Sequence, residues 1–148
     1  MSVDTNQAII TAIHTILTGD TGTGSLTSIM TTVALHLVMA QEDAPMPYLV
    51  HSLSIDEGGT FGLRMAVYKI DLWDYSPTAT RIFQMRDRII YLLDEQRLTP
   101  PDEEFGAARM TLTIDEPFET DADEVWRYHL RFNVRYERVR EALNIIGR

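Results

Sequence analysis

The chain has 148 residues, 45% hydrophobic and 24% charged, and no cysteine. That fits one globular domain and excludes a disulfide framework and a cysteine-based zinc site. A net charge of −9, with Lys69 the single lysine among 13 basic residues, argues against a strong grip on DNA or RNA, whose phosphates dominate such affinity.

The N-terminal MSVDTNQAIITAIHTIL lacks a basic stretch and a cleavage site, so it does not read as a signal peptide. No apolar run approaches the ~18–20 residues of a membrane span. Asp4 or Thr5 can cap a first helix, and Ala8, Ile9, Ala12, Ile13, Ile16 and Leu17 recur at helical spacing up to Gly19. Thr18 to Ser25 reads as a flexible surface turn. Its glycines are not a phosphate loop, because no GKS or GKT follows. Leu26 to Met30 suits one helical turn, and Val33 to Ala40 is read as a strand.

After a loop stiffened by Pro45 and Pro47, Tyr48 to Ile55 alternates as a strand. Asp56 to Gly59 reads as a turn, and Phe61 to Trp73 as the second arm of a hairpin. The apolar parity changes inside that arm. Either a bulge flips the register or one end is covered on both faces. A long second helix follows, with Ser76 as N-cap and Pro77 in its first turn. Ala79, Ile82, Phe83, Ile89, Ile90, Leu92 and Leu93 form its apolar stripe. Arg81, Arg86 and Arg88 fall mainly off the stripe, on the side read as solvated. Thr99 to Pro101 is expected to stop the helix.

Met110, Leu112 and Ile114 alternate with threonines as a strand between two acidic loops, the second spanning Asp115 to Glu124. In the last strand, Trp126, Tyr128, Leu130, Phe132, Val134 and Tyr136 alternate with Arg127, His129, Arg131, Asn133 and Arg135. One face of that strand should be buried and the other wet and cationic. In the remaining tail, Val139, Leu143 and Ile146 have the spacing of a short helix. The order predicts a single α+β domain over residues 1–148. It would be one antiparallel or mixed sheet of about four to five strands, with two main helices on one face.

Chemistry is sparse. There is no cysteine nucleophile and no G-x-S-x-G elbow. His14, His36, His51 and His129 are scattered without ligand spacing, so no metal and no cofactor is expected. Asp71 and Asp74 flank Trp73 at a strand end, which raises a paired-carboxylate enzyme as an alternative. Their bland reading is a solvated strand end. The stretch from Asp102 to Glu124 holds nine carboxylates against Arg109 alone. Asp102, Glu103, Glu104, Asp121, Asp123 and Glu124 are candidates for an assembly or lumen surface, weighed against a merely solvated one. Arg127, Arg131 and Arg135 recur every fourth residue on the polar face of the last strand. The strand's own aromatics lie on the other side, unlike an RNA-binding sheet, which shows both on one face. These arginines are read as ion-pair donors, within the chain or to a neighbouring subunit.

Several ordered segments resemble the tail-completion or tail-terminator proteins of long-tailed bacteriophages: VMAQEDAPMPYLVHSLS, GGTFG, YKIDLWDYSPTATRIFQMRDRIIYLL and RYHLRFNVRYE. With the first helix, the resemblance covers the chain to about Glu137. It implies a small α+β domain that forms a ring, usually of six subunits, at the head-proximal end of the tail tube. It further implies that the ring stops tube polymerisation and joins the head connector, with DNA passing through its lumen. The protein would be made in the bacterial host cytoplasm and built into the virion, with no catalytic role and no membrane. A head-completion or neck adaptor of similar fold is the nearest alternative.

Overall fold

The computed structural model describes residues 5–56, 63–98 and 105–138. The elements run α1 (Thr5–Thr18), α2 (Leu26–Met30), β1 (Leu35–Leu37), β2 (Tyr48–Asp56), β3 (Leu63–Tyr75), α3 (Thr80–Leu93), β4 (Arg97–Leu98), β5 (Phe105–Phe118) and β6 (Val125–Arg138). The strands form one six-stranded sheet in the order β1-β2-β3-β6-β5-β4, more than the four to five expected. The strand not foreseen is β4, two residues long and too short to show a period in sequence, whereas the three-residue β1 falls inside the strand read over Val33 to Ala40. β1 pairs with β2 in parallel, and every other pairing is antiparallel.

The helices pack on one face. Ile9, Ile13 and Leu17 of α1 and Ile82, Met85, Ile89 and Leu93 of α3 are buried with Tyr68, Ile70, Leu72, Leu130, Phe132 and Val134 of the central strands. Each such side chain contributes about 1.5–3 kcal/mol by leaving water. The pairing of β3 with β2 and with β6 runs without a break, so no bulge explains the parity change there. Ala66, Tyr68, Ile70, Leu72 and Asp74 are buried against the helices. Met65 and Val67 are half-buried on the opposite face.

Several local expectations need correction. The strand read over Val33 to Ala40 is confined to Leu35–Leu37, because Val38 takes φ 70° and breaks the extended chain. Leu37, Val38 and Met39 are exposed there. α3 starts at Thr80 after Ala79, not at Ser76. The Ser76 N–H donates to the Glu124 carbonyl, and its carbonyl accepts from Trp126 Nε1 at 2.9 Å. These bonds pin Ser76 to the start of β6, so the chain turns before it coils. The helix stops at Leu93, before any proline. Glu95 takes φ 60°, and the Asp94 carboxylate accepts the Leu112 N–H of β5 at 2.8 Å. Of the turn read over Asp56 to Gly59, Asp56 still belongs to β2 and the rest lies outside the described residues, as do the Thr99–Pro101 stop and the tail from Val139.

The arginines read as solvated are anchors. Arg81 pairs with the fully buried Asp74, with Nε 2.9 Å from Oδ1. Arg86 bonds Asp115 of β5 through two nitrogens. Arg88 is bidentate on Asp20, at 2.9 and 2.8 Å. Asp20 is itself buried in the glycine-rich segment and accepts the Leu26 N–H. That segment is therefore tied down at its centre. The Asp115 carboxyl is held below the ordinary range, first by its bonds from Arg86. Asp115 continues β5 rather than opening a loop, so the second acidic loop is shorter than read, Glu119 to Glu124.

Candidate assembly face

The face of the sheet away from the helices is not covered by any described element. Register assigns its rows. Tyr48, Trp73, Arg127 and Phe118 lie side by side across β2, β3, β6 and β5. Val50, Asp71, His129 and Glu116 form the next row, and Ser52, Lys69, Arg131 and Ile114 the third. Toward the far end, Arg97 opposes Arg109 and Arg109 opposes Arg135.

A bulge places Phe118 here. The pairing of β5 with β6 shifts by one residue between Leu112 and Ile114. Before the shift, Ala108 and Met110 are buried against the helices; after it, Asp115 reaches Arg86 on the helix side. Ile114, Glu116 and Phe118 consequently point to the open face.

Arg127 is sandwiched between two rings. Its guanidinium carbon lies 5.0 Å from the Trp73 ring centre and 4.6 Å from that of Phe118. One such contact contributes roughly 0.5–2 kcal/mol depending on exposure. Its Nη2 donates to Asp71 Oδ2 at 2.9 Å. The other Asp71 oxygen lies 2.6 Å from His129 Nδ1. Tyr48 stacks on Trp73 with ring centres 6.2 Å apart, and His36 meets Tyr48 edge-on. This end of the face is thus an aromatic row with its charges paired.

The expectation that cations and aromatics fall on opposite faces holds within β6 and fails for the sheet. The rings beside Arg127 come from β3 and β5, which sequence spacing along one strand cannot reveal. A signal was present in Trp73, out of phase with Leu72 and Asp74, but its neighbour across the ladder was not readable.

The three predicted arginines share this face and differ in environment. Arg127 is paired within the chain. Arg131 and Arg135 make no ion pair among the described residues. Arg131 Nε is buried without a hydrogen-bond partner. Asp121, Asp123 and Glu124 are exposed in the β5–β6 loop, and Asp102, Glu103 and Glu104 lie outside the described residues. Asp71 and Asp74 are not brought together. Asp71 belongs to the open face, whereas Asp74 is buried on the helix side with Arg81. Two carboxylates on opposite faces of one strand cannot act on one substrate atom. Among the described residues, no group of His, Asp and Glu could hold a metal ion. No described helix is long and apolar enough to cross a membrane.

The sequence matches no protein-family model and no curated protein. The fold does have matches. A chain from the "Virion of native gene transfer agent (GTA) particle" superposes with a TM-score of 0.72 at 13% identity, over 92% of this chain and 99% of that one. A second solved chain superposes with a TM-score of 0.56 at 15% identity, over 89% of this chain and 96% of that one. At these identities, what is shared is the fold.

Proposed function

We propose that the chain is a structural virion protein of a long-tailed phage or phage-like particle. It assembles as a ring, with six copies the expected number, at the head-proximal end of the tail. There it ends growth of the tail tube and offers the head connector a joining surface. The observation that carries this reading is the near full-length fold match to a chain of a gene transfer agent virion. The uncovered sheet face supports it, because a patterned face without a helix over it is available for subunit contact. Exposed Leu37, Val38 and Met39 add an apolar strip at the β1 edge of the sheet. DNA would cross the lumen without adhering, since a chain of net charge −9 repels phosphate. Catalysis, cofactor and metal play no part in this reading.

Light scattering and negative-stain electron microscopy of the purified full chain test it, alone and with a polymerising tail-tube protein. Closed rings, and tubes that stop growing when capped, are the expected result. A strict monomer that leaves tube length unchanged would refute it. In particles, changing Asp102, Glu103 and Glu104 together to Lys should impair joining or DNA passage while leaving folding intact. Full infectivity would return that stretch to a solvated surface.

A further inference from the structure

The open face is electrostatically lopsided. From its middle, at Lys69 and Arg131, to its far corner, at Arg97, Arg109 and Arg135, it carries five cations in a chain of net charge −9. Lys69 stands directly across from Arg131, Arg97 across from Arg109, and Arg109 across from Arg135. Like charges directly opposite each other on one sheet face are destabilising. Glu95 meets Arg109 at 2.9 Å. The other four cations have no ion pair among the described residues, and Arg131 Nε is buried and unbonded.

Some carboxylates share this face by register: Glu116 and Asp71 lie one row from Arg131 and Lys69, with Asp71 already bonded to Arg127 and His129, and Asp56 falls in the row of Arg135. A larger acidic group is present in the same molecule and out of reach. Glu119, Asp121, Asp123 and Glu124 are exposed in the β5–β6 loop and form no ion pair among the described residues. That loop opens β6 at Val125, and the cationic corner lies further along the same strand. At ~3.3 Å per residue, Glu124 is about 23 Å from Arg131 and about 36 Å from Arg135. Both spans exceed the ~8–10 Å over which exposed charges interact in physiological salt. Only another molecule can bring the two together.

We infer that the cationic corner of the open face receives the acidic β5–β6 loop of a second copy of this chain. This rests on the self-assembly reading and specifies its contact. The surfaces that meet are different patches, so the contact is head-to-tail, the kind that repeats around a ring. A second copy is favoured over nucleic acid because the chain as a whole repels phosphate, and its β5–β6 loop concentrates four exposed carboxylates without an ion pair among the described residues.

The single lysine makes the contact directly testable. A carbodiimide couples an amine to a carboxylate only where they touch. Treating the full-length protein, mixed from isotopically light and heavy batches, should join Lys69 of one copy to the Glu119–Glu124 loop of another. Charge exchange gives the second readout by sedimentation. One variant carries Arg131→Glu with Arg135→Glu, the other Asp123→Lys with Glu124→Lys. Each alone should associate at least roughly tenfold more weakly than wild type. An equimolar mixture should recover assembly, because each loop then meets a face of opposite charge. Wild-type rings with Lys69 joined elsewhere, or variants that assemble like wild type, would overturn this contact and leave the ring reading standing. A wild type that never self-associates would sink both. Loss of duplex DNA binding by the arginine variant with unchanged assembly would assign the corner to phosphate instead. Should a variant fail to fold, the wild-type cross-link alone decides.

Discussion

Arg88 and Asp20, 68 positions apart, form a bidentate ion pair that ties the middle of α3 to the glycine-rich segment after α1. The Asp20 carboxylate is nearly buried and also accepts the Leu26 N–H. Arg88→Ala leaves that carboxylate facing only one backbone donor. We expect a loss of about 1–3 kcal/mol, below the full cost of breaking a buried pair because Arg88 is partly exposed. Arg88 bonds hold the Asp20 pKa below the usual range, so the pair's stabilisation is present above the unfolded carboxylate value and is lost as pH falls through the folded one. Urea melts at pH 7 check the size. A loss below about 0.5 kcal/mol would show that the pair is solvated.

Ile82→Ala and Ile89→Ala should each cost about 2–5 kcal/mol, because both side chains are buried against the sheet. Phe83, on the same helix and 48% exposed, should tolerate Ala with a much smaller loss. If the Phe83 variant melts below the Ile89 variant, the face assignment of α3 is wrong.

His51 links stability to pH. Burial, with His14 as a lesser contribution, lowers its pKa to about 4, and its Nδ1 shares a 2.8 Å hydrogen bond with the Tyr68 hydroxyl. The folded state thus holds this imidazole neutral while the unfolded chain protonates it near its ordinary value of 6.5. Its contribution is complete above that value and fades as pH drops toward 4, by on the order of 3 kcal/mol at most. His51→Gln should flatten the fall of the urea midpoint in that window. An unchanged slope would assign the acid sensitivity to other groups.

Arg127→Ala should disturb Trp73 more than it disturbs folding. The guanidinium covers the indole and bonds Asp71, but the side chain is 32% exposed, so a loss of about 1 kcal/mol is expected. A shift in tryptophan fluorescence with little change in melting is the expected pattern. An unaltered spectrum would deny the sandwich.

The large elements were legible because long amphipathic periods dominate them. α1 and the alternation of β6 follow directly from residues such as Ile9, Ile13, Leu130 and Phe132. The edges were legible only in part: β1 fell inside an overlong reading of Val33 to Ala40, and the two-residue β4, held by pairing rather than by pattern, was not read at all. Nor could the sequence disclose that Arg81, Arg86 and Arg88 meet Asp74, Asp115 and Asp20. Off-stripe arginines on a helix read as solvated until the sheet rises beside them. The candidate face was half visible. The recurrence of Arg127, Arg131 and Arg135 marked it, while Trp73 and Phe118 depended on registers and a bulge that no single strand encodes.

The Asp94 side chain bears on aggregation. β4 covers only two residues of β5, leaving most of that long strand at the rim of the sheet. A bare rim is a template for strand addition and, at high copy number, for fibres. Asp94 occupies the Leu112 N–H that an incoming strand would need. Further along, the kink between Leu112 and Ile114 and the missing donor of Pro117 spoil the remaining ladder. A rim blunted in this way resists the strand addition from which amyloid grows.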